Sequence, residues 1–236
     1  MDAAVYATLT RQSGLMREMQ VVANNIANQS TAGFRREGVV FAEHVARLDQ
    51  GPSLSMAHAT GRHVDLSQAG LTQTGGAFDL AIQGEGFFLV ETAQGQRMTR
   101  AGSFTPNAEG ELVTPDGHRV LDTGAAPIFV PPDAGPVAVS ADGTISAGGQ
   151  PLARIGLWVP ADPLALRHQG GTMFDGDAVE PAENGTILQG FLEEANVNPI
   201  SEISRMIAVQ RAYELGQTFL DQEDARVRAV VQTLGR

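Results

Sequence analysis

Two long segments with heptad-spaced apolar residues stand at opposite ends of this 236-residue chain. In the first, positions at alternating steps of four and three from Val5 to Ile26 are all apolar or alanine except Gln12. In the second, positions at alternating steps of three and four from Met206 to Leu234 are apolar except Gly216 and Glu223. Such spacing places the residues on one face of a helix. A helix with one apolar stripe is marginal alone in water, because its backbone entropy is offset only when the stripe is buried. The terminal helices must therefore pack on each other or on helices of other copies.

The residue types around the two segments predict where each helix begins and ends. The first is expected to start near Asp2 and to stop at Gly33, and the second to start with Asn198 as N-cap and Pro199 as its first residue. Gly216 interrupts the second stripe, which predicts a bend or a close contact. The predicted contact residues are Val5, Leu9, Met16, Met19, Ile26, Met206, Val209, Tyr213, Leu220, Val227, Val230 and Leu234.

An asparagine cluster closes the first helix. Asn24, Asn25 and Asn28 occupy positions that a helix fills more stably with alanine, and Gly33 and Phe34 follow them. One interpretation is a frayed helix end. The other is a set of amides that bond to backbone groups of adjacent chains where the chain turns outward at Gly33. We favour the second and add these five residues to the predicted interface.

The region between the helices changes period from 3.6 to two. Residues 34–77 lack sustained periodicity and are predicted to form an irregular or extended connector. From Phe78, short apolar runs separated by turns predict a β-rich domain over 78–188, with Gly84-Glu85-Gly86 as a hairpin turn. Residues 189–236 return to the helical domain that begins with 1–33. The fold class is therefore α+β, with a coiled-coil-like helical core and an inserted, mainly antiparallel β domain.

Composition excludes several functions. The chain has no cysteine, and since it contains no lysine, all 16 of its basic residues are arginine. Thiol catalysis, Cys-based zinc sites and lysine chemistry are thereby removed, and a net charge of −11 argues against nucleic-acid binding. The five histidines show no ligand-like pairing, and Glu193-Glu194 is expected on a solvated face. We expect no catalytic site, no cofactor and no metal.

No segment is apolar for the length of a membrane span, and the N-terminus does not look like a cleaved signal. We therefore expect no membrane insertion.

Motifs along the chain resemble the axial proteins of the bacterial flagellum, in particular their basal-body rod and hook group. The residues that carry the resemblance are Ala23 to Asn28 with Thr31-Ala32-Gly33-Phe34, Asp79 to Phe88, Thr99 to Phe104, Gln189 to Asn198, and Gln210-Arg211-Ala212-Tyr213-Glu214. They occur in the family's order over nearly the whole chain. Length and the opening Met1-Asp2 are most similar to proximal-rod subunits, with distal-rod or hook-type proteins as the alternative.

The resemblance implies a structural subunit of the rod that crosses the periplasm. It also implies export through the flagellar export apparatus without a cleaved signal, and helical polymerisation with copies of itself and with other rod proteins. Before assembly, the N-terminal helix is expected to be largely disordered and so threadable through a narrow channel. Two other functions are alternatives: an enzyme acting on cell-wall polymer, which needs an acid pair across a cleft, and a coiled-coil adaptor that does not polymerise.

Overall fold

A computed structural model describes residues 2–46, 54–176 and 178–234. Helices stand at both ends of the chain, α1 at Asp2–Ala27 and α2 at Pro199–Leu234. In chain order the strands are β1 Glu37–Ala46, β2 Leu54–Val64, β3 Leu71–Gln73, β4 Leu80–Gly84, β5 Phe88–Thr92, β6 Gly95–Thr99, β7 Thr105–Pro106, β8 Leu112–Val113, β9 Arg119–Val120, β10 Val137–Val139, β11 Thr144–Ala147, β12 Gln150–Arg154, β13 Trp158–Pro160, β14 Arg167–His168, β15 Met173–Asp175, β16 Val179–Pro181, β17 Gly185–Gln189 and β18 Phe191–Glu193. One short 3₁₀ helix covers Pro163–Ala165.

The chain divides into two compact units, each built from separate stretches of sequence. The first, here called the helical unit, comprises residues 1–27, 37–63 and 198–236. The second, the β unit, comprises residues 28–36 and 64–197. This architecture confirms the predicted α+β class with a mainly antiparallel β body.

Helix α1 is shorter than predicted. It ends at Ala27, and turns follow in which the Thr31 amide donates to the Asn28 carbonyl at 3.0 Å and the Phe34 amide donates to the Thr31 carbonyl at 3.1 Å. The prediction that Gly33 stops the helix is therefore wrong. Gly33 has a φ of +73°, and a Cβ there would lie 2.2 Å from the backbone nitrogen of Ala101, so glycine is needed for close backbone approach.

Helix α2 begins where the sequence predicts. The Asn198 side-chain oxygen accepts hydrogen bonds from the amides of Ile200 and Ser201, both at 3.1 Å, and Pro199 is the first helical residue. These bonds satisfy two of the amides that a helix N-terminus leaves without partners. The predicted helix start is confirmed.

The segment 34–77, which we expected to be irregular or extended, contains the long paired strands β1 and β2 of the helical unit. Val39, Val40 and Phe41 give β1 the β-branched and aromatic composition that favours strands. Strand β3, from the end of the same segment, pairs with β18 in the β unit.

The β unit is organised around a seven-stranded sheet with the order β14-β15-β6-β5-β9-β8-β7. Its main core contains the fully buried residues Leu80, Ile82, Phe88, Val90, Leu112, Val120, Ile128 and Ile145. Strand β4 pairs with β17 while β5 pairs with β6 and β9. The predicted hairpin at Gly84-Glu85-Gly86 is therefore wrong: the turn connects two different sheets, and both glycines have positive φ.

Candidate assembly interface

Three polar contacts set how α1 and α2 pair within the helical unit. The Gln12 side-chain amide donates to the Tyr213 carbonyl at 2.9 Å, Arg205 contacts the Glu18 carboxylate at 2.7 Å, and the Asn25 amide donates to Glu202 at 3.1 Å. Residues later in α1 thus contact residues earlier in α2. The two helices are antiparallel.

Helix α1 does not use its predicted stripe for this pairing. Leu15 and Val22 are buried, whereas Met16 is 41% exposed and Leu9 is 49% exposed. A shift of one position rotates a side chain by about 100° around the helix. Among the other predicted α1 residues, Val5, Met19 and Ile26 are half-buried. Leu9 and Met16 therefore lie beside the helix contact and remain exposed in the single chain.

Helix α2 uses its predicted stripe only in its first half. Val209 is buried, and Met206, Tyr213 and Leu220 are half-buried. Farther on, Val227 and Val230 are exposed by 47% and 45%, and Leu234 by 83%. The face that packs in the first half continues uncovered in the second. The exposed residues Val227, Val230, Val231 and Leu234 are here called the α2 terminal stripe.

Gly216 permits a close contact between the helices. A Cβ at this position would lie 2.3 Å from the side-chain nitrogen of Gln12, which is buried. Of the two predicted causes for this glycine, the structure shows a close contact. Beside it lies a groove of about 330 Å³ lined in part by Leu15, Leu215 and Phe219.

The three asparagines do not act as one set. Asn25 is fully buried: its side-chain oxygen accepts the Glu37 amide at 3.0 Å, and its nitrogen donates to the Glu37 carbonyl at 2.9 Å and to Glu202. Its amide is therefore used within the chain, contrary to the expectation that it bonds to an adjacent one. Asn24 is exposed, and Asn28 accepts a hydrogen bond from the Thr31 hydroxyl at 3.3 Å.

Gly33 and Phe34 are interior residues of the β unit. Both are buried, and the Phe34 ring lies 5.2 Å from the His168 ring, which in turn lies 4.3 Å from the Phe174 ring. Their expected place in an interface between chains is not supported by this burial. The core of the β unit uses both residues instead.

Sequence reasoning missed a buried ionic cluster in the β unit, formed by Arg35, Arg100 and Glu193. Arg35 contacts one Glu193 carboxylate oxygen at 2.6 Å and Arg100 contacts the other at 3.1 Å. The Ala69 amide also donates to Glu193, at 3.0 Å. All three charged residues are at most 3% exposed. The expected solvated position of Glu193 is therefore wrong, although Glu194 is exposed.

Two cations share one carboxylate in this cluster. Burial lowers the pKa of the Arg100 guanidinium to about 10, an effect that the Glu193 carboxylate opposes and the neighbouring Arg35 adds to. Arg100 therefore stays charged at neutral pH. It also donates to the Gly84 carbonyl at 2.8 Å and lies 5.3 Å from the centre of the Phe87 ring. These contacts partly compensate for the loss of water around the charge.

The ionic cluster joins three motifs that are far apart in the sequence. Arg35 follows Gly33-Phe34, Arg100 lies in the motif Thr99 to Phe104, and Glu193 lies in the motif Gln189 to Asn198. The Gly33 amide reinforces the junction by donating to the Glu193 carbonyl at 2.7 Å. The signal available in the sequence was that each of these charged residues lies within or directly beside one of the motifs.

Within the part of the chain that the structure describes, no group of three or more histidine or acidic residues is placed to hold a metal ion. In the same residues, no helix is long and apolar enough to cross a membrane.

Comparison with known proteins gives matches along the chain. Residues 6–35 match the flagella basal body rod protein family, residues 81–147 match the D1 domain of the flagellar hook protein FlgE/F/G family, and residues 188–233 match the C-terminal region of the flagellar basal body rod FlgEFG family.

Among individual relatives, the chain is 40% identical to the flagellar basal-body rod protein FlgF of Caulobacter vibrioides, covering 100% of this chain and 99% of that protein. It is 37% identical to FlgF of Mesorhizobium japonicum, again over 100% and 99%. It is 29% identical to the flagellar basal-body rod protein FlgG of Bacillus subtilis, with 97% of each chain covered.

Proposed function

The chain belongs to the family of flagellar basal-body rod proteins. We propose that it is built into the proximal part of the rod, through contacts between its terminal helices and those of neighbouring subunits. It is a structural subunit of the flagellar basal body. The family is one of structural rod proteins, which supports a non-catalytic role and gives no support to a cell-wall enzyme.

One observation carries the assembly proposal: large apolar side chains are exposed on both terminal helices. Tyr6, Leu9 and Met16 are exposed on α1. On α2 the exposed set is Ile200, Ile203, Ile207, Leu215, Phe219 and the α2 terminal stripe. Large apolar side chains exposed in this number on two helices mark surfaces that another molecule covers. Neighbouring subunits of a polymer provide that cover repeatedly.

Export of the unassembled chain through the flagellar export apparatus, without a cleaved signal, is part of the same proposal. The length of the uncovered stripes supports it, because helices that lack their partners open at low free-energy cost. The α1 helix is thus expected to pass into an extended chain during export and to become stable on assembly.

A proximal position is favoured over a distal one by sequence identity. The chain is more similar to the FlgF proteins, at 40% and 37%, than to the FlgG protein of B. subtilis, at 29%. A distal-rod or hook-type position remains the second candidate, because the similarity to FlgG also extends over 97% of the chain.

Deletion of the gene and complementation with a tagged chain test this function. We expect the deletion strain to lose swimming, the tagged chain to restore it, and electron microscopy of isolated basal bodies to place the tag in the proximal rod. A tag in the distal rod would transfer the assignment to the second candidate. A deletion strain that swims normally, or basal bodies that lack the tagged chain, would contradict the proposal.

A further inference from the structure

We propose that the α2 terminal stripe of one copy packs on the α1 stripe of a second copy, formed by the exposed Leu9 and Met16 with the half-buried Val5. This inference rests on the proposed function, since it names which surfaces meet when subunits assemble. The partner is a second copy of this chain, and the contact is heterologous because two different surfaces of the same protein face each other.

The α2 terminal stripe continues an interface that the chain itself already builds. Val209, Tyr213 and Leu220 pack toward α1. Val227 follows Leu220 after seven residues, and Val230 and Leu234 follow after a further three and four, so all of them lie on the same face of α2. Because α1 and α2 are antiparallel, this part of α2 lies toward the first turns of α1. The surface that covers it must resemble α1 in shape and polarity.

The α1 stripe of another copy has these properties. Leu9 and Met16 are seven residues apart, so they lie on one face, and Val5 precedes them on that face. The face is exposed beside the α1–α2 contact. It therefore stays accessible while α1 is paired with its own α2.

A contact between two different surfaces leaves each subunit with one open surface of each kind. Such a contact generates a ring when the rotation closes and an open helical array when it does not. A rod layer or a rod segment is built in this way, whereas two identical stripes would stop at a dimer.

Disulfide trapping tests the inference cleanly, because the chain contains no cysteine of its own. Two differently tagged variants, Leu9→Cys and Val230→Cys, are produced in the same deletion strain, and basal bodies are isolated and oxidised. A disulfide forms only when the Cα atoms come within about 7 Å. We expect a mixed disulfide that carries both tags.

Gln232→Cys is the matched control, since Gln232 is exposed in the same turn and points about 200° away from Val230. It should give at least tenfold less mixed disulfide with Leu9→Cys. The inference would be overturned, and the rod function left standing, by any of three results: equal yields from both positions, a disulfide that Val230→Cys forms only with itself, or no mixed disulfide from chains that are incorporated. Absence of the unmodified chain from basal bodies would overturn both.

A charge exchange provides a readout that does not depend on disulfide geometry. Leu9→Arg alone and Val230→Asp alone should each reduce incorporation into basal bodies at least tenfold, and the two changes in one chain should restore it. Within one chain, Leu9 and Val230 are separated by roughly 15 Å along the helix axes, so the rescue reports contact between copies. No rescue by a doubly substituted chain with a wild-type circular dichroism spectrum would overturn the inference.

Discussion

Buried polar residues place the strictest demands on single positions in this protein. In the β unit, Glu193 is the one carboxylate that contacts both Arg35 and Arg100. In the helical unit, Asn25 satisfies both backbone groups of Glu37 and also contacts Glu202. Removing one partner from such a group leaves the others buried without compensation, which costs more than the lost bond itself.

Glu193→Gln should lower the free energy of unfolding by about 3–5 kcal/mol, because two buried guanidinium groups lose their counter-charge. Urea denaturation of the purified chain measures this. The neighbouring Glu194→Gln is the matched control and should change stability by less than about 0.5 kcal/mol, since Glu194 is exposed. Similar losses in the two variants would show that the ionic cluster does not carry this energy.

Asn25→Ala should destabilise the helical unit by about 2–3 kcal/mol, because the Glu37 amide and carbonyl are left buried without partners. Asn24→Ala, on the exposed side of the same helix turn, should have a small effect. Thermal unfolding followed at 222 nm by circular dichroism compares them. The prediction fails if the two alanine variants unfold together.

At the scale of elements, the fit between α1 and α2 depends on the Gln12 side chain, which faces a glycine, Gly216, on the other helix. Gln12 occupies the space that a Cβ at position 216 would need, and its amide bonds to the Tyr213 carbonyl. Glycine at position 216 lowers the intrinsic helix propensity of α2, but it leaves the space that the Gln12 side chain occupies between the two helices.

A double-mutant cycle measures the coupling free energy between positions 12 and 216. Gly216→Ala alone should give no net stabilisation, because the gain of about 1 kcal/mol in helix propensity is offset by displacement of Gln12. In a Gln12→Ala background, the same substitution should stabilise by about 1 kcal/mol. Additive effects, measured by denaturant unfolding, would rule out the contact as the reason for the glycine.

At the scale of the whole molecule, most of the exposed large apolar side chains among the described residues lie on the two terminal helices. The β unit, by contrast, buries most of its large apolar side chains in its own core. Stability of the helices is expected to come largely from assembly, as binding to the folded state adds to the free energy of unfolding.

The double variant Met16→Asp with Met19→Asp should abolish rod assembly and swimming, because two carboxylates would be buried against neighbouring subunits. Soft-agar motility and electron microscopy of basal bodies measure the outcome. Arg17→Asp is the control: it places one acid between the two methionines at an exposed position outside the stripe, and it should retain motility. Normal swimming of the double variant would contradict the proposed interface.

Hydrogen exchange on the isolated chain should be faster through Val5 to Ile26 than in β5 and β6. The strands lie in the centre of a seven-stranded sheet, whereas α1 has an uncovered stripe. Mass spectrometry of peptides resolves the two regions. Protection of α1 equal to that of β5 would contradict the expectation that this helix opens before assembly.

The sequence by itself determined the α+β class, the start of α2 at Pro199 and the face that α2 turns toward α1, because capping and periodicity are local properties. It also carried the family motifs. Only the tertiary structure decided which face α1 uses, that Asn25 bonds within the chain, and that Arg35, Arg100 and Glu193 meet in the interior. Local patterns do not specify these features, since each depends on residues that are distant in the sequence and adjacent only after folding.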